Sequence, residues 1–367
     1  MIRRMIFVAA MGLGASVASA GPVEDVSAEK VMEVLRALPT SRAAIGDDAA
    51  RDGLRKTEEL IVERLKAMGY EPRIQEIPWV SPVQRLGKNK EGAAPAPGDA
   101  SKEKSGGADP AASPTPAGSD EPAPKFWNNI IVDIKGTELP DEVLLIGAHF
   151  DAVPKSPGAD DNGTGTAALM ELARVLKDHP MKRTVRLAFF NLEESGLIGS
   201  RHHASDFAAN PGSERIVGMV SLEMLGYFCV TDGCQKSPVK AIPGVFDPPK
   251  RGDTLASVTV GVHREFSGKL AAAFEAGSDG VLITRFDFFP APIPDILRSD
   301  HAPFLAMNVP SVMLTDTANF RNPNYHTPRD TIETLDQDRY VRSVRGVVSI
   351  AATLADEALG LPTATAK

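Results

Sequence analysis

Val143-Leu-Leu-Ile-Gly-Ala148 runs straight into His149-Phe-Asp151, and this junction decides how the rest of the chain is read. A short, charge-free apolar run has the character of a strand buried on both faces, as in a parallel sheet. A histidine and a carboxylate follow at once. In open α/β sheets, reactive groups gather at the carboxyl ends of the strands.

Outward from this point the pattern repeats. Residues 166–177 place Leu169, Leu172, Ala173 and Leu176 on one helical face. Strands are expected at 130–134, 184–190, 216–222, 258–262 and 311–315, with helices at 263–276 and 337–356. Upstream, helices are expected at 26–38 and 52–68, the second closed by Gly69, then a strand at 71–80. Alternation of this kind predicts an α/β fold, a mostly parallel central sheet flanked by helices on both faces. No internal repeat is visible.

The chain has 367 residues, 43% of them hydrophobic, and a formal net charge of -8. That length buries a substantial core, and a single domain from residue 21 to 367 is expected. Residues 88–125 are rich in Ala, Pro, Gly, Ser, Lys and Asp and read as a flexible insertion in that domain. Mild acidity without a basic stripe argues against nucleic acid as a partner.

The first twenty residues differ from the rest. Arg3 and Arg4 precede an apolar run from Ile6 to Val17, and Ala18-Ser19-Ala20 matches a small-x-small cleavage site. A cleaved signal peptide is expected, with the mature protein periplasmic or extracellular and without a stable membrane anchor. In an oxidising compartment, Cys229 and Cys234 are close enough in sequence for a small surface disulfide, with two free thiols as the alternative.

Metal-ligand residue types cluster at the strand ends. After His149-Phe-Asp151 come Asp160-Asp161-Asn162-Gly163, then Glu193-Glu194-Ser195-Gly196, Ser221-Leu-Glu223, and Tyr325-His326-Thr-Pro-Arg-Asp330. Each alone has an ordinary explanation: a structural histidine, a turn, a solvated acidic pair. Together they put two histidines and several carboxylates at the ends of strands that should lie side by side. Such nitrogen and oxygen donors, with few cysteines, suit catalytic zinc.

In order and spacing, residues 126–356 resemble the zinc aminopeptidases with co-catalytic metals, a family that also includes glutamate carboxypeptidases and glutaminyl cyclases. The resemblance implies two zinc ions per chain. Asp161 would bridge them, His149 and Glu223 would complete one site, and Glu194 and His326 the other. Glu193 would be the general base, and Asp151 the carboxylate that orients His149. Glu223 departs from the pattern, since many members carry Asp there. The longer side chain is compatible with a weaker second site, or with a single tightly held zinc.

Asp300, His301 and Tyr325 are further candidates for binding substrate at the pocket rim, although Ser299-Asp300-His301 equally suits a helix N-cap. The implied activity is an exported aminopeptidase acting on peptides. Carboxypeptidase, dipeptidase or glutaminyl cyclase activity would keep the same ligands and change the pocket. A non-catalytic binding module is disfavoured, because every ligand and the base are present.

Overall fold

The computed structural model describes residues 21–79, 126–244, 246–287 and 294–357. The expected signal peptide and the 88–125 insertion lie outside them. Eight strands form one sheet: β1 (Arg73–Pro78), β2 (Phe126–Ile134), β3 (Leu139–His149), β4 (Arg183–Phe190), β5 (Arg215–Glu223), β6 (Leu255–Val258), β7 (Ile283–Phe286) and β8 (Ser311–Thr315). Their order is β1-β2-β4-β3-β5-β8-β6-β7. The central four, β4-β3-β5-β8, are parallel, so their carboxyl ends share one edge. On one side β1, β2 and β4 pair antiparallel; on the other, β6 runs antiparallel to β8.

Seven helices accompany the sheet among the described residues: α1 (Ala28–Ala37), α2 (Asp48–Ala67), α3 (Gly165–Leu176), α4 (Ile198–Ala209), α5 (Arg264–Gly277), α6 (Ala302–Ala306) and α7 (Gln337–Asp356). Helix starts follow local chemistry. Ser27, Asp47 and Asp336 each accept a bond from a first-turn backbone N–H of α1, α2 and α7. Gly69 takes φ +90° just past α2, the left-handed stop expected of it.

Period-two alternation along β3 shows why its apolar run is continuous. Leu144, Ile146 and Ala148 face the large core shared with α1, α3 and α7, while Leu145 packs with Phe190, Ala204 and Phe304 on the other face. Both faces are dry, so no position on the strand needs a polar residue.

Three local features differ from the sequence reading. The strand expected at 258–262 ends at Val258, and Gly261–His263 forms a tight turn instead. Strand β7 was not anticipated, being short and partly exposed. Helix α4 was also missed, because its buried face is built from Gly199, Ser200, His203 and Ala204, which carry no apolar period. Cys229 and Cys234 form a disulfide, settling the choice in its favour.

Candidate metal centre

All five expected ligands and the expected base meet at the carboxyl edge of the central strands. His149 is the last residue of β3 and Glu223 the last of β5. Glu193 and Glu194 lie just beyond β4, Asp161 in the turn that leads into α3, and His326 in the loop after β8. Asp161 stands between the two histidines. Its Oδ1 is 3.3 Å from His149 Nε2 and its Oδ2 is 3.0 Å from His326 Nε2. Glu223 Oε2 is 3.4 Å from His149 Nε2, and Glu194 Oε2 is 3.3 Å from His326 Nε2. The result is two donor groups joined by one carboxylate.

Adjacent Glu193 and Glu194 point to different partners. Leu192 takes φ +62° and turns the chain just before them. Glu193 Oε2 then lies 4.0 Å from His149 Nε2, farther than Glu223, while Glu194 faces His326. Asp151 organises this turn: its two carboxylate oxygens accept the backbone N–H groups of Glu193 (3.1 Å) and Glu194 (3.2 Å). Its carbonyl oxygen also accepts from His149 Nδ1 at 3.1 Å. That bond places the imidazole proton on Nδ1 and leaves the Nε2 lone pair free for a metal.

The remaining ligands are fixed in the same way. Asn162 donates to Leu222 O at 2.8 Å and accepts from Met224 N at 3.1 Å, tying the Asp161 turn to the end of β5. Asp330 accepts the backbone N–H of Asp161 at 3.1 Å. Ser299, fully buried, donates to Glu223 Oε2 at 2.8 Å, so the longer acid is held in place.

The donor chemistry fits zinc. His149 Nε2 and Glu194 Oε1 are buried without a hydrogen-bond partner, an expensive arrangement unless a cation satisfies them. Among the described residues two groups qualify on spacing, His149 with Glu193 and Glu223, and Asp161 with Glu194 and His326, each set of ligand atoms lying within 4.8 Å of one another. Imidazole nitrogen and carboxylate oxygen are zinc donors.

Titration in the protein alone reflects this crowding. Burial pushes the Asp161 carboxyl up, and His149 and His326 outweigh it, holding the group below its usual range. Burial pulls His326 down, but Asp161 and Glu194 raise it to about 10. Burial lifts Glu193 well above the carboxylate range; His149 opposes, while Glu223, Glu194 and Asp300 add to the rise.

A cavity of about 320 Å³ opens from the ligands. Val258, Phe286, Ile296 and Met313 line it with apolar surface, and Tyr325 stands beside the metal ligands. The Tyr325 ring stacks on His326 at 3.7 Å between centroids, and its hydroxyl accepts from Arg298 Nη2 at 3.2 Å. The phenol proton therefore remains available to a bound substrate.

Asp300 and His301 are a correction. Both are fully buried and neither lines the cavity, so they do not form its rim. The turn that aims Ser299 at Glu223 carries the next two side chains inward, and burial pushes Asp300 up to about 7 and His301 down to about 4. The helix-cap reading holds by position: His301 is the N-cap of α6, although no side chain makes a capping bond there. Sequence reading also missed Asn162, Ser299 and Arg298. The first two sit inside quoted motifs, and their polar side chains beside ligands were the available signal.

A hydrolase with a mixed α/β sheet and two candidate metal-ligand groups meeting at one carboxylate is the class that this fold and site define. Residues 129–242 and 250–351 match the model of Peptidase family M28, and the chain belongs to that family. It is 32% identical over 234 residues to the uncharacterised Escherichia coli protein YfbL, covering 61% of this chain and 70% of that one. With the Bacillus subtilis aminopeptidase YwaD it shares 30% identity over 228 residues, 58% of this chain and 42% of the relative's length. The solved structure of BSAP, a zinc aminopeptidase from Bacillus subtilis, superposes with a TM-score of 0.63 at 19% identity, covering 92% of this chain and 97% of that one.

Proposed function

We propose that the protein is an exported zinc aminopeptidase that removes N-terminal residues from peptides, with two zinc ions per chain. The observation carrying this reading is Asp161, whose two oxygens are shared between His149 and His326. His149, Asp161 and Glu223 would hold one ion; Asp161, Glu194 and His326 would hold the other. Bound zinc supplies Lewis acidity toward the scissile carbonyl and lowers the pKa of water.

The protein's own groups do the rest. Glu193 takes the proton from the attacking water and delivers it to the leaving nitrogen. Tyr325 donates to the oxygen on which charge develops, and the apolar cavity walls suit a bulky apolar side chain beside the cut.

Export rests on two observations. The first twenty residues have the charge, apolar run and small-residue site of a signal peptide, and the Cys229–Cys234 disulfide suits an oxidising compartment. Among the described residues no helix is long and apolar enough to cross a membrane.

The test is cleavage of aminoacyl 4-nitroanilides and their N-acetylated counterparts, with and without a zinc chelator. Chelator-sensitive release from the free-amine series alone is expected. No release from either series would overturn the aminopeptidase assignment.

A further inference from the structure

Arg42 lies between α1 and α2, outside the residues that match the family, yet it reaches beneath the metal centre. It is 2% exposed. Nε donates to Phe150 O at 2.7 Å, and Nη1 donates to Pro157 O at 2.6 Å and Pro39 O at 3.0 Å. Nη2 donates to Gly158 O at 2.5 Å. In return, the Arg42 carbonyl accepts from Ala152 N at 2.9 Å. No carboxylate pairs with the guanidinium among the described residues. A buried cation satisfied only by carbonyl groups is rare, and a planar fork of donors is what makes it workable.

The acceptors are the informative part. Phe150 separates His149 from Asp151, while Pro157 and Gly158 open the turn that carries Asp161. One guanidinium therefore spans the two segments whose ligands must share a metal. Gly158 is shaped to admit it: φ is +62°, and an added Cβ would stand 2.8 Å from Arg42 Nη2 and 2.5 Å from Asp161 O. Burial of the charge is the dominant effect, and the carboxylates Asp330, Asp161, Asp151 and Glu194 offset part of it.

We propose that Arg42 is a positioning residue for the metal centre, setting the separation between His149 and Asp161 from outside the matched region. The N-terminal helical segment thus completes a site to which it gives no ligand. The inference rests on the zinc-site reading above.

The full chain would be stripped of metal and titrated with zinc against a chromophoric chelator, and separately with Co(II), whose absorption reports ligand geometry. Arg42→Met should bind zinc about 10–100-fold more weakly, with an altered Co(II) spectrum. Arg42→Lys, which keeps the charge without the fork, should fall between the two. Asp133→Asn, a destabilising change away from the metal centre, should leave both readouts unchanged. If Arg42→Met does not fold, Arg42→Lys carries the test, because a single ammonium cannot bond both segments as the fork does. Wild-type affinity and an unchanged spectrum in the substituted protein would overturn the proposal while leaving the zinc reading intact. A wild-type chain that takes up no zinc would overturn both.

Discussion

Glu193 and Glu194 are neighbours in sequence that face different partners, and the separation is made by backbone geometry. Asp151 receives both of their N–H groups, so the turn cannot rotate one acid into the other's place. Glu193→Gln should therefore keep zinc and lose turnover. The expected fall in kcat is about 10²–10⁴-fold, with two zinc ions still counted by metal analysis. Loss of zinc along with activity would make Glu193 a ligand instead. The residues proposed to bind or react were legible because His, Asp and Glu at strand ends carry a chemical signature. Asn162, Ser299 and Arg42 were not, since a residue that acts by holding another one has no signature of its own. Asp300 and His301 looked chemical and were placed at the rim, but the sense in which a turn buries its side chains is set by packing.

At the scale of elements, legibility followed dryness. β3, β4, β5 and β8 stood out because their runs are buried and mostly apolar, Arg186 of β4 being an exception, whereas α4 docks through small and polar residues. A Cβ on Gly199 would stand 2.1 Å from Asn191 O, so Gly199→Ala should lower stability by about 2 kcal/mol or more, measured by denaturant titration. The pairing of β2 with β4 is locked by Asp133 opposite Arg186, bonded at 2.7 and 2.8 Å, and Arg186 also bonds Glu214 at 2.8 Å. Burial pushes Asp133 up, but Arg186 and Lys135 outweigh it, so its folded pKa lies below the unfolded value. Its stabilising contribution is thus present at neutral pH and is lost as pH falls through the folded pKa. Asp133→Asn should cost about 1–2 kcal/mol at pH 7, since Arg186 keeps Glu214 as a partner. The difference from wild type should shrink in acid titrations as pH falls through that folded pKa. A cost that does not change with pH would mean that the charge pair contributes nothing.

Across the whole molecule, one carboxyl edge collects groups from nearly the full length of the described chain. A ligand bound only by the folded state raises stability by mass action, about 2.7 kcal/mol at a hundredfold excess over Kd. Chelation should therefore lower Tm, and added zinc should restore it along with activity; an unchanged Tm would place the metal elsewhere.

Because the bridging Asp161 sits in the middle of the sequence and His326 lies beyond β8, no partial length of chain holds a working centre. The full donor set comes together only once β8 has paired with β5 and the loop beyond it has been made, so completion of the site waits on completion of the sheet.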